Sequence, residues 1–144
     1  MLGSPSGRRL VFVDTGAWFG LGDDTDQHHA PAMRTRRLLA SERAILVTSN
    51  FVIAETHALA IQRNGRDRAL LQLRSLLSGT IRREPVLPED EERAVAIIEQ
   101  YRDKAFSYTD ATSFTIMRRH RITRAFTFDR HFQQFGLTTL GLDG

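Results

Sequence analysis

No cysteine occurs in this sequence of 144 residues, so disulfides and thiolate-bound zinc are excluded and a reducing compartment is the natural expectation. Long apolar runs are missing as well. The segment Leu10 to Val13 is too short for the core of a signal peptide and ends in Asp14, and nothing approaches the length of a membrane span. A cytoplasmic, soluble chain is expected. Lysine is nearly absent, since every basic residue except Lys104 is arginine. Arginine favours bidentate phosphate contacts, which keeps nucleic acid among the possible partners, although the formal net charge is only +3. Several catalytic signatures are also lacking. There is no GxSxG and no P-loop, and Gly16, Gly20 and Gly22 have the wrong spacing for a dinucleotide fingerprint.

What remains is ordinary globular composition, 41% hydrophobic and 26% charged, in a length that suits one core burying roughly two-thirds of the chain's surface. Residues 1–8 open with the Gly/Ser/Pro-rich MLGSPSG and read as a disordered tail, leaving 9–144 as a single domain. Short apolar runs at Leu10–Val13, Ala44–Val47, Arg124–Phe128 and Thr138–Leu140 read as buried parallel strands. Helical patterns lie between them: Ala30–Ala40, Asn50–Asn64 with Gly65 as stop, Arg66–Leu77 with Gly79 as stop, Glu89–Tyr101 and Thr109–His120. Strands alternating with helices predict an α/β sandwich with a parallel sheet of four or five short strands flanked by helices.

Most acids have structural explanations. Asp23, Asp24 and Asp26 fit a solvated loop and helix cap, without the spacing of an EF-hand. Glu89 to Glu92 open a helix after Pro88, where negative charge complements the macrodipole. Four acids resist. Asp14 ends LVFVD and Asp129 ends AFTFD, so both should stand at the carboxyl ends of parallel strands, where open α/β sheets bind ligands. On a helix, Glu55 is flanked by Phe51, Val52, Ala58 and Leu59 and leaves from an apolar stripe. Asp110 begins YTDATSFTIM, with Phe106, Phe114 and Met117 on its side. Each alone fits a cap or a turn; together they suit one crevice, and hard oxygen ligands without cysteine point to Mg²⁺ or Mn²⁺.

The stretches VFVDTGAW, DQHHA, TSNFVIAETHALA and YTDATSFTIMRRHRITRAFTFDRHF together resemble a PIN-domain ribonuclease, most closely the compact VapC-like toxins of prokaryotic toxin–antitoxin pairs. The resemblance spans residues 9 to 140 and implies a PIN-like fold and a metal-dependent endoribonuclease that leaves a 5′-phosphate and a 3′-hydroxyl. Carried over by position, the catalytic and metal-binding quartet is Asp14, Glu55, Asp110 and Asp129, with Glu55 either a ligand or the base, and Thr127 supplies the hydroxyl of a T-x-D element. It further implies a homodimer and a small antitoxin that blocks the crevice. DQHHA matches a structural element, which makes His28 and His29 helix-start packing.

RNA approaching an acidic pocket needs compensating positive charge. Without the quartet, 13 acids face 20 bases, and the densest basic cluster, Arg118, Arg119 and Arg121 with Arg124 and Arg130, falls between Asp110 and Asp129. Phosphate binding and a solvated helix end are both open for it. Trp18 and Phe19 suit a base-stacking role or, better, the core. His57 and His120 read as surface or packing residues. A phosphatase of the HAD type would need a second aspartate at position 16, which is Gly, and Lys104 is misplaced for a receiver domain. The alternatives within the resemblance are a solitary RNA-processing nuclease and a catalytically silent RNA- or protein-binding module.

Overall fold

A run apolar at every position has no face to give to water, and Leu10–Val13 accordingly forms the middle strand, β1, with all four residues buried. The computed structural model describes residues 9–142; the expected tail at 1–8 lies outside the described residues. The elements that follow are α1 (Thr15–Gly22), α2 (His29–Ser41), β2 (Ile45–Ser49), α3 (Asn50–Asn64), α4 (Arg66–Ser78), β3 (Arg82–Glu84), α5 (Pro88–Gln100), α6 (Tyr108–Arg119), β4 (Arg124–Phe126), α7 (Arg130–Gln134) and β5 (Thr138–Leu140). The strands form one sheet in the order β3-β2-β1-β4-β5. Every pair is parallel, with Val11 opposite both Leu46 and Arg124 and Val13 opposite Phe126. The fold is the α/β sandwich that the sequence predicts.

Parallel pairing collects the carboxyl ends of all five strands on one edge. Asp14 follows β1 there, α3 starts there directly after β2, and Thr127 to Asp129 follow β4. Local chemistry fixes the helix starts along this edge. The Ser49 hydroxyl accepts from the Val52 N–H at 3.1 Å to begin α3, and Ser107 and Asp110 exchange side-chain and backbone hydrogen bonds in a capping box that begins α6. Gly65, at φ +85°, allows α3 to end and α4 to begin without an intervening loop. Beneath the edge the core is aromatic. Phe12, Phe114, Phe126 and Phe132 are fully buried, and Phe114 stacks on Phe135 with centroids 4.3 Å apart.

Three elements were not legible in the sequence. Helix α1 is short, with three glycines and apolar residues on nearly every side, so it shows no amphipathic period. Strand β3 is three residues, Arg-Arg-Glu, a charged edge strand without an apolar run. Helix α7 has only five residues. Trp18 and Phe19 belong to the interior, at 3% and 2% exposure, and the Trp18 indole N–H donates to Thr48; they offer no base-stacking surface. No helix among the described residues is long and apolar enough to cross a membrane.

One acid of the α5 first turn does more than complement the helix dipole. Asp90 is completely buried, accepts from the Leu87 N–H at 2.9 Å, and receives the Arg119 guanidinium at 2.9 and 3.2 Å. It thereby ties α5 to α6. Asp90→Ala should lower unfolding free energy by roughly 2–4 kcal/mol, since the cap is lost and a partly buried guanidinium is left without its partner. Urea denaturation of both proteins reads this directly; a loss below about 0.5 kcal/mol would make the pair incidental.

Candidate active site

Asp14, Glu55, Asp110 and Asp129 line one crevice of about 680 Å³ at the carboxyl edge of the sheet, together with Thr15, His28, Ser107, Phe128, Arg130 and His131. Another cleft of similar size, about 660 Å³, lies between α3, α4 and β3, but none of the four acids reaches it. The chemistry therefore belongs to the first.

Each carboxylate is oriented by a neutral donor. The Thr127 hydroxyl donates to Asp14 Oδ2 at 3.2 Å and itself accepts from the Asp129 N–H at 2.9 Å. The Thr15 hydroxyl donates to Glu55 Oε1 at 2.6 Å. Asp110 Oδ2 accepts from the Ser107 N–H at 3.2 Å, and Asp129 Oδ1 accepts from the His131 N–H at 2.9 Å. Asp110 and Asp129 are thus helix caps and members of the crevice at once. Glu55 departs from expectation. It is exposed, while α3 buries Val52, Ile53, Thr56 and Ala60. The apolar stripe read around it was the helix's flank, and the buried polar neighbour is Thr56, whose hydroxyl donates to the Val52 carbonyl.

The electrostatics are those of crowded like charges. Asp14, at 6% exposure, has its pKa pushed up to about 7, chiefly by burial and further by the charges of Asp110, Asp129 and Glu55, against a lowering hydrogen bond from the Thr15 backbone. Asp110 is also raised, again mainly by burial, with the His131 hydrogen bond opposing. The ion pairs among the described residues bring no lysine or arginine to any of the four; the one basic group against them is the His131 ring. Its Nδ1 lies 2.8 Å from Asp110 Oδ2 and 3.5 Å from Asp129 Oδ1. Donor atoms of Asp110, Asp129 and His131 all fall within 4.8 Å of one another, so the crevice fits a cation in both geometry and charge.

Of the two readings open for the basic cluster, the helix-end one fits Arg118 and Arg119. Helix α6 carries Asp110 in its first turn and Arg118 and Arg119 in its last, about 13 Å away at 1.5 Å per residue. Arg119 is committed to Asp90, Arg124 begins β4 at the opposite edge of the sheet and pairs with Glu42, and Arg118 lies over the Phe135 ring. Arg121, just beyond α6, shares that far end. Only Arg130 of the five is exposed on the crevice itself. His131 is not marked by the sequence. A single histidine two positions after Asp129 carries no pattern, and its partner Asp110 is 21 residues away. His28 packs as expected, its ring stacked 4.2 Å from Phe128.

The raised pKa of Asp14 makes a signed prediction. Between about pH 4 and 7 the unfolded chain gives up a proton that folded Asp14 keeps, so its contribution to stability is full below pH 4 and is lost as pH rises through 7. The loss amounts to roughly 4 kcal/mol. Urea titrations in EDTA at a series of pH values should show the wild type losing stability relative to Asp14→Asn across that window. Parallel curves would mean that Asp14 is not held in a desolvated, like-charged site.

Comparisons with known proteins meet this geometry from the other side. The 23S rRNA-specific endonuclease VapC20 of Mycobacterium tuberculosis is 36% identical over 127 residues, covering 88% of this chain and 95% of that protein. Ribonuclease VapC26 of the same organism is 29% identical over 85% of this chain and 89% of its own length. The crystal structure of M. tuberculosis VapC20, described as a sarcin-ricin loop cleaving toxin, superposes with a TM-score of 0.81 at 35% identity, covering 89% of this chain and 96% of that one. The PIN domain model matches residues 11–137. With the parallel sheet and its acidic edge, these matches place the chain in the PIN domain family.

Proposed function

We propose that this protein is a Mg²⁺- or Mn²⁺-dependent endoribonuclease, the cytoplasmic toxin of a toxin–antitoxin pair, acting through residues 9–144 as one PIN-like unit. The observation that carries this reading is the convergence of Asp14, Glu55, Asp110 and Asp129 on one crevice, with no arginine or lysine among the described residues ion-paired to them. A purely structural acidic cluster would be neutralised from within, as Asp90 is by Arg119. The relatives' names support RNA as substrate, and the structured loop of large-subunit rRNA cut by VapC20 is the first RNA to test.

Asp14, Asp110 and Asp129 would hold the cation, and Thr127 keeps Asp14 aligned. When bound, the cation supplies Lewis acidity to the phosphodiester and lowers the pKa of the attacking water. Glu55, exposed and held by Thr15, takes the proton of that water as its oxygen bonds to phosphorus. The P–O3′ bond breaks, the 3′-oxygen picks up a proton from solvent, and the products carry a 5′-phosphate and a 3′-hydroxyl. Arg130 at the rim offsets the repulsion between crevice and backbone phosphate. A small antitoxin covering the crevice and a homodimeric assembly complete the proposal.

Inducible expression in a bacterial host should arrest growth for wild type and not for Asp14→Ala, and the purified wild type should cut a sarcin-ricin loop RNA into discrete fragments. Equal growth together with no cleavage of that RNA in Mn²⁺ would favour a silent binding module. The placement of the arginines gives a separate expectation. Arg130→Ala should make the log–log salt dependence of RNA binding shallower by about one, whereas Arg118→Ala with Arg121→Ala should leave it unchanged. The reverse result in filter binding would put the RNA path at the far end of α6.

A further inference from the structure

We infer that the imidazole of His131 is a nitrogen donor to the bound cation, completing with Asp110 and Asp129 a donor set that favours Mn²⁺ over Mg²⁺. The inference rests on the metal-dependent reading above and deepens it, because the acidic quartet is all oxygen and carries no such preference of its own. In an octahedral shell with bonds of about 2.1 Å, neighbouring donors stand about 3 Å apart. His131 Nδ1 lies 2.8 Å from a carboxylate oxygen of Asp110 and 3.5 Å from one of Asp129, which brackets that edge length on both sides.

The ring is held in this position from several directions. Its residue opens α7, where the backbone N–H donates to Asp129 Oδ1. Main chain and imidazole thus turn toward the same carboxylate. The buried Phe106 meets the ring in a T-shaped contact, centroids 5.4 Å apart at 77°, which limits its rotation. Asp110 is fixed in turn by the Ser107 N–H at the α6 cap. Donors braced in this way cost little further ordering when a cation arrives. The consequence is chemical. Mg²⁺ prefers oxygen and near-ideal octahedral geometry, whereas a first-row transition ion accepts an imidazole nitrogen readily. One nitrogen among carboxylates therefore tilts the site toward Mn²⁺ and its neighbours in the series.

A ring nitrogen 2.8 Å from a carboxylate is also what a plain hydrogen bond looks like, and the test separates the two roles. Mn²⁺ alone and Mg²⁺ alone are titrated calorimetrically into the full chain of wild type, His131→Asn and His28→Asn. The Mn²⁺ complexes are then examined by electron spin-echo envelope modulation for ¹⁴N coupling. Asparagine keeps a hydrogen-bond donor near the Nδ1 position, and His28 supplies the other imidazole lining the crevice. Wild type and His28→Asn should bind Mn²⁺ at least about tenfold more tightly than Mg²⁺ and show ¹⁴N modulation; His131→Asn should lose the modulation and bring the two ions within about threefold. Wild type without nitrogen coupling, or His131→Asn with an unchanged ion ratio, overturns the assignment of His131 while leaving the metal-dependent nuclease intact. Wild type that binds neither ion overturns both.

Discussion

Like charges confined at the end of a buried strand are the constraint around which the molecule is arranged. Asp14 extends the central strand, and the sheet and helices place three further carboxylates about it. Among the described residues no arginine or lysine ion-pairs with these carboxylates. The protein assigns a hydroxyl or a backbone N–H to each carboxylate, from Thr127, Thr15, Ser107 and His131, and such neutral donors orient a charge without cancelling it. The contrast with Asp90 is instructive. Both aspartates are buried and hydrogen-bonded, but Asp90 receives a guanidinium and fastens two helices together, while Asp14 is left in want of positive charge. The same residue type is mortar in one place and a reactive group in the other, and the partner decides which.

Legibility in the sequence followed the range of the interactions concerned. Strands β1, β2 and β4 announce themselves because burial demands an apolar run, and Asp14 and Asp129 stand out because each ends one; the edge strand β5, Thr-Thr-Leu, has no buried residue and is not the buried strand expected there. The glycine-rich α1 and the charged β3 escape for the opposite reason: neither carries the period of its own structure. Glu55 was placed correctly on its helix and misplaced around it, because alanine fits a buried face and an exposed one equally well. Ala54 and Ala58 lie on the open side of α3.

The arginines show where sequence proximity fails. Lying between two site acids in the chain left a place beside them and a solvated helix end both open. A helix that runs away from the site carries its last turn to the far edge, and α6 does this with Arg118 and Arg119. His131 is the converse case, a residue made visible only when two helix starts, α6 and α7, meet at one point.

Parallel pairing also sets the order in which the molecule can be made. Asp14 leaves the ribosome well ahead of the hydroxyl that aligns it, which belongs to Thr127, 113 residues later. At synthesis rates of about 5–20 residues per second, β1 waits roughly 6–23 s before the chain that completes its edge has even been translated. Throughout that interval Asp14 lacks Thr127 and Asp129, and Asp110 arrives only near its end, so a chain that stops short of Asp129 does not hold the whole crevice. A nuclease built in this way stays inert as a nascent chain until the segment that follows β4 has been made.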